Sequence, residues 1–312
     1  VLFLLPAIVF TWHVAGTTEF RPRGILSGHL APASLAALLA LFMFGIGKAA
    51  LMPFHRWLPA AMVAPTPVSA LLHAEAVVKA GVFSVVKILV YVFGLDALAG
   101  GTDWLVAVAS FTIVAASVVA LRADNLKRRL AYSTVSQLSY VVLATALLAP
   151  LSVVGAFFHI AAHALGKITL FFAAGAIYTA AHKTEGSQLD GIGRSMPWTM
   201  GAFAIGALSM IGLPPAAGFV SKWYMLSGAV AQAHWGAVVV IVGSTLLNAG
   251  YFLPIVHRAF FRASRPEDAV HPHGEAPLPI VIALTLTAAG TVALFFAPEV
   301  PLALAHQMLM IP

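Results

Sequence analysis

Five lysines lie inside apolar stretches of this sequence, namely Lys48, Lys79, Lys87, Lys167 and Lys222, and Glu75 is the one acidic residue placed in the same way. A charged side chain at the centre of a bilayer costs roughly 2.5–3.5 kcal/mol on insertion scales, so such residues are expected to carry function. A lysine near a helix end can instead reach the interface with its ammonium, and that reading suits Lys87 as well as a functional one. Lys48, Lys79, Lys167 and Lys222 sit deeper in their stretches or beside a helix break. Burial disfavours the charged form, while a nearby carboxylate or water restores it. A buried lysine can therefore exchange a proton near neutral pH, which a surface lysine with a pKa of about 10.4 cannot. The chemistry these residues suggest is a proton relay.

Their neighbours extend the set. In LLHAEAVVKAGVF, Glu75 and Lys79 are four residues apart and share a helical face. They form either an ion pair that lowers the cost of burial or a charge pair whose opening alters a neighbouring group. His73 lies on another face and can address a different helix. In FFHIAAHALGKITLF, His159, His163 and Lys167 recur at spacings of four, making one stripe about 12 Å deep. A His pair at this spacing can bind a metal. No third ligand of the HExxH kind is present and the lysine would repel a cation, so no metal is expected. Lys222 follows the break GLPPAAGFVSK, and Lys48 precedes Pro53 in GIGKAALMP. Broken helices at membrane depth are tolerated only beside protein or water-filled cavities, and transporters place ion sites there; a packing kink is the plainer alternative. The run AYSTVSQLSY at 131–140 can serve as glue between helices or line water.

The elements that must position these groups are long and apolar. Of the 312 residues, 61% are hydrophobic and 9% charged, against about 25% charged in a soluble domain. This composition implies an all-α, polytopic transmembrane bundle. A span needs about 20 apolar residues, and such stretches fall near 1–14, 33–53, 66–94, 103–121, 130–148, 152–180, 197–232, 236–257 and 277–297. The stretch 197–232 is interrupted by Gly212-Leu213-Pro214-Pro215 and reads as one broken helix, because proline removes a donor and breaks the ladder. The stretch 33–53 ends at Pro53 in the same manner. Alternating spans then place Arg56, Arg122, Lys127, Arg128, Arg129, Lys183, Arg194, Arg258, Arg262 and Arg265 on one side, and only Arg21 and Arg23 on the other. The Lys/Arg-rich side is expected to face the cytoplasm, in a bacterial inner membrane.

Other classes drop out. The absence of cysteine removes disulfides and thiolate-bound clusters. GIGKAA and GIGRSM lack the third glycine and the strand of a dinucleotide fingerprint. No cofactor, no electron-carrying site and no nucleic-acid partner are expected. The chain opens in an apolar run without the charged region of a signal peptide, and reads as a piece of a longer protein.

The segments GKAALMPFHRWLPAAMVAPTPVSALLHAEAVVKAGVF, LAYSTVSQLSY, FHIAAHALGKITLFFAAGAI and GLPPAAGFVSKWYML resemble the proton-conducting, antiporter-like membrane subunits. These include the large membrane subunits of respiratory complex I, Mrp-type cation/proton antiporter subunits A and D, and related hydrogenase subunits. The resemblance implies a fold of two inverted repeats, with this chain running from near the sixth core helix to the fourteenth. Residues 1–98 would then be the later part of the first repeat, 99–262 the second, and 263–312 a terminal span and tail. It also implies roles. Lys48 matches the lysine of the broken seventh helix, and His73 and Lys79 match polar positions of the eighth. His159, His163 and Lys167 match the connecting residues of the eleventh, and Lys222 the charged residue of the broken twelfth. The family's fifth-helix glutamate has no counterpart here, and Glu75 leans toward the Mrp-like branch.

The resulting expectation is a relay of Lys48, His73, Lys79, His159, His163, Lys167 and Lys222, modulated by Glu75. Its partners would be other integral membrane subunits, protons, Na⁺ or K⁺, and the lipid bilayer. Two other classes compete: a carrier for a small organic solute, with Trp223 and Tyr224 at the break as its binding groups, and a structural membrane scaffold.

Overall fold

A computed structural model describes residues 2–72, 76–264 and 274–309. Its helices are α1 (Leu4–Ala15), α2 (Pro32–Gly45), α3 (Trp57–Ala60), α4 (Thr66–Ala70), α5 (Ala76–Lys87), α6 (Asp103–Arg122), α7 (Leu126–Ala146), α8 (Pro150–Ala181), α9 (Pro197–Ile211), α10 (Ala217–Ala231), α11 (Trp235–Phe261), α12 (Leu278–Phe296) and α13 (Glu299–Leu309). Among the described residues there is no β-strand. Five of the helical segments are long and apolar enough to cross a membrane, the first being α5 with its π-helical extension to Phe93.

The helix starts follow from local chemistry. α2, α8, α9 and α12 begin with proline in the first or second position, where its missing N–H costs nothing and its φ is already helical. The Asn125 side chain caps α7 by accepting from the Arg128 N–H, as an N-cap amide does.

Both expected breaks are present. α2 stops at Gly45, a short 3₁₀ turn holds Gly47–Ala49, and α3 resumes at Trp57. The Trp57 indole N–H donates to the Gly47 carbonyl (2.9 Å) and the Met52 N–H to Thr112 Oγ1 of α6 (3.3 Å), which stitches the irregular backbone to its surroundings. The second break separates α9 from α10. Gly212 ends α9 in the left-handed region (φ +89°), a conformation glycine takes without strain.

α7 occupies the centre. Every residue from Ser133 to Ala146 is buried, so the polar run at 131–140 faces protein on all sides from Ser133 onward. α8, with 32 residues the longest helix, packs against α7, α9, α10 and α12. α11 and α12 instead carry exposed Val239, Leu246, Leu253, Leu278, Ile282 and Leu286. The segment after the last span, expected as a tail, contains α13, and the Met308 carbonyl accepts from the Tyr91 hydroxyl (2.9 Å).

The basic segments gather at one end. Lys127 Nζ donates to the Ala64 carbonyl (3.1 Å), Asn125 to Glu185 (3.0 Å), Arg258 to the Ser187 carbonyl (3.4 Å), and Arg262 pairs with Asp190 (3.6 Å). At the opposite end, Ile25 and Leu26 donate to the Val92 carbonyl beside Arg23. Lys127, Arg258 and Arg262 of the Lys/Arg-rich set thus lie at one end of the bundle, and Arg265 falls outside the described residues.

Candidate functional site

α5, the long α8 and the start of α10 bring Lys79, two histidines and Lys222 into one region. The Lys79 ammonium of α5 is hydrogen-bonded to His163 Nδ1 of α8. One turn earlier on α8, the His159 ring lies 5.9 Å from that of His163. His159 Nδ1 meets Ser221 Oγ of α10 at 2.8 Å, and the next residue is Lys222. Three helices therefore contribute two hydrogen-bonded pairs, Lys79 with His163 and His159 with Ser221, whose histidine rings are neighbours on α8, ending beside a fourth titratable group. The Lys79 ammonium against His163 would repel a metal cation.

Lys222 is 5% exposed and lies where α9 ends. Its Nζ donates to the Met210 carbonyl (3.0 Å), the Ile211 carbonyl (2.9 Å) and Thr245 Oγ1 (3.4 Å). The last carbonyls of a helix are left without intrahelical partners and carry the negative end of the macrodipole, so the break makes a cation site from backbone alone. The Tyr140 ring stands 4.7 Å from the same ammonium, a cation–π contact. Lys167, fully buried, lies one turn further along α8 and donates to Ser133 Oγ of α7.

Lys48 is placed differently. It is exposed, at the first break, and lines a cavity of about 500 Å³ with Thr11, Gly45 and Ser84. Its backbone abuts Gly81 of α5, where a Cβ would overlap Lys48 and Ala49; Lys79 is two residues away on the same helix. Lys87 lies 4.2 Å from the Phe20 ring, in keeping with an interfacial role. His73 and Glu75 fall outside the described residues. Trp223 is exposed and stacked on Phe219 (6.0 Å), so it faces away from the buried break and supplies nothing to a solute site there.

A family model described as "NADH:quinone oxidoreductase/Mrp antiporter, TM" matches residues 1–248. The chain belongs to this family. NADH-quinone oxidoreductase subunit N of Desulforudis audaxviator is 34% identical over 309 residues, 94% of this chain and 61% of that protein. A chain of the Mrp complex from a Dietzia species superposes with a TM-score of 0.84 at 22% identity, over 99% of this chain and 65% of the other. Respiratory complex I from Thermus thermophilus gives 0.82 at 22% identity, over 99% and 66%. The chain thus spans 61–66% of the length of these three, and the two structural likenesses establish the fold. As a member of the NADH:quinone oxidoreductase/Mrp antiporter family it is an integral membrane protein.

Within this family member, the structure adds polar groups on α11 that the sequence reading did not single out, and joins them to the polar run at 131–140 that it did. Asn248 Nδ2 and Gln137 Nε2 both donate to the Met210 carbonyl (3.3 and 3.1 Å). The Tyr251 hydroxyl donates to Asn248 Oδ1, and Tyr140 is hydrogen-bonded to Ser244. The signal was available: Ser244, Asn248 and Tyr251 recur at i, i+4 and i+7 and so form one face of an otherwise apolar helix.

Proposed function

We propose that this chain is part of a proton-translocating subunit of a multisubunit membrane complex, in which Lys79, His163, His159 and Lys222 pass protons along a buried axis. The observation that carries the reading is the pair of hydrogen-bonded contacts, Lys79 to His163 and His159 to Ser221, whose two histidine rings stand 5.9 Å apart on one helix beside a helix break that holds the Lys222 ammonium. Each member can both take up and release a proton, which relays require, and Ser221 bridges His159 to α10. Gln137 Oε1 and His159 Nε2 are buried without a protein partner, and each can bond to water, which extends such chains. Lys48 feeds the series from its cavity through α5, and Lys167 forms a branch toward α7. His73 and Glu75 belong to the same eighth-helix segment by sequence.

The Lys/Arg-rich end faces the cytoplasm of a bacterium in this reading. Two drives are compatible with the fold: exchange against Na⁺ or K⁺ in an Mrp-like assembly, or quinone reduction elsewhere in a complex I-like or hydrogenase-like one. The test is proton movement, with and without Na⁺, in inverted vesicles carrying the full-length protein in its complex. Lys48→Ala and Lys222→Ala should each lower transport about tenfold or more with the complex assembled. Dependence on Na⁺ would select the antiporter drive. Unchanged transport in both variants would contradict the relay.

A further inference from the structure

The relay leaves the polar face of α11 without a role, yet that face lies between the two most buried lysines. Asn248 is fully buried. Its amide nitrogen serves the Met210 carbonyl and its amide oxygen accepts from the Tyr251 hydroxyl. The same hydroxyl faces Ser133, whose Oγ accepts from the Lys167 ammonium and gives its own hydrogen to the Leu130 carbonyl (2.9 Å). At the other end, the Met210 carbonyl is approached by three donors: Lys222 at 3.0 Å, Gln137 at 3.1 Å and Asn248 at 3.3 Å. A carbonyl oxygen offers two lone pairs, so the three donors compete.

Protonation decides the competition. As an ammonium, Lys222 has three N–H groups for its three acceptors. When it gives up a proton it keeps two, and an acceptor is left over. If Lys222 leaves Met210, the carbonyl keeps Gln137 but one of its two lone pairs empties, at some cost in a buried site, and the Asn248 amide already stands within reach of it. We infer that Asn248 and Tyr251 are positioning residues that couple Lys222 to Lys167, the Asn248 amide closing on the Met210 carbonyl whenever Lys222 is neutral. With Asn248 so engaged, the Tyr251 hydrogen stays on Asn248 Oδ1, and Ser133 Oγ is left for a charged Lys167. When Lys222 is charged it is the nearer donor to the carbonyl (3.0 against 3.3 Å), the hold on Asn248 loosens, and the Tyr251 hydrogen can turn to Ser133 Oγ, where a second donor beside the ammonium makes a charged Lys167 less favourable. Loss of a proton at one lysine then favours its presence at the other.

The inference rests on the relay reading above. The titratable groups facing Lys222 are Tyr140 of α7, His159 of α8 and Tyr251 of α11, while α9 and α12 bring none among their residues. Around Lys167 stand Lys79 of α5 and His163 of its own helix. The experiment is proton transport against pH in vesicles holding the full-length protein in its complex. Asn248→Leu should lower transport severalfold and move the pH of half-maximal transport upward by about half a unit, because emptying Lys222 now leaves one lone pair of the Met210 carbonyl unfilled. Asn248→Gln, which restores an amide, should recover part of both. Tyr251→Phe removes one oxygen, keeps the ring packing, and should move the profile in the same direction by less. If Lys222→Ala abolishes transport but Asn248→Leu and Tyr251→Phe keep the wild-type profile, the coupling is overturned and the relay stands. If Lys222→Ala is itself without effect, both fall. Should Asn248→Leu fail to assemble, the Tyr251→Phe profile decides.

Discussion

Lys222 owes its setting to Gly212. The left-handed turn there ends α9 and exposes the Met210 and Ile211 carbonyls that hold the ammonium. A Cβ at Gly212 would come within 2.6 Å of Lys222 Cδ, and a left-handed conformation costs a non-glycine residue about 1–2 kcal/mol. Gly212→Ala is therefore expected to displace the lysine: transport in vesicles should fall markedly while the amount of assembled complex stays near wild type. Equal transport in the variant would show that the carbonyl cradle is not what holds Lys222. Lys167 has a softer setting, a serine hydroxyl and the Phe252 ring 6.0 Å away, which suits it to a branch whose charge depends on its neighbours.

At the scale of elements, the two breaks do different work. The second exposes backbone to a buried lysine, whereas the first is pressed onto α5 through Gly81. Gly81→Val would force the Lys48 turn off α5, at a cost of about 1–3 kcal/mol for overpacking. A lower apparent Tm of the solubilised protein checks this, together with weakened transport, since Lys48 would lose its register with Lys79. The positions of both breaks were legible beforehand because proline and glycine act locally. So were the His159–His163–Lys167 stripe and the span boundaries, which depend on periodicity and apolar length alone. α13 and the α11 face were not. α13 is short, and its docking through Met308 and Tyr91 is a contact 217 residues apart. The Asn248–Met210 bond joins two helices through a backbone carbonyl, an atom every residue has and no motif marks. Nor did the lysines' spacing disclose that Ser133 of α7 holds the Lys167 ammonium; that follows from which helix packs on which side of α8.

For the whole molecule, the gathering of basic segments at one end gives a topology that can be measured cleanly, because the chain has no cysteine. Arg128→Cys and Glu19→Cys, both at exposed positions near opposite ends, should react with a membrane-impermeant maleimide from opposite faces, Arg128→Cys only in inverted vesicles. Labelling of both from the same side would overturn the orientation assigned from the Lys/Arg bias. That orientation matters to function, since it sets which end of the buried axis opens to the cytoplasm and hence the sense of proton movement.

The central claim is that Lys222 works by giving up a proton, not by supplying a fixed charge. Arginine keeps its charge in proteins, so Lys222→Arg preserves the cation at the α9 terminus and removes only the exchange. The most direct measurement is proton transport by the full-length Lys222→Arg protein in its assembled complex. The relay predicts a loss as deep as that of Lys222→Ala, about tenfold or more. Transport at the wild-type rate with arginine in place would contradict it and make the residue a structural counter-charge for the helix end.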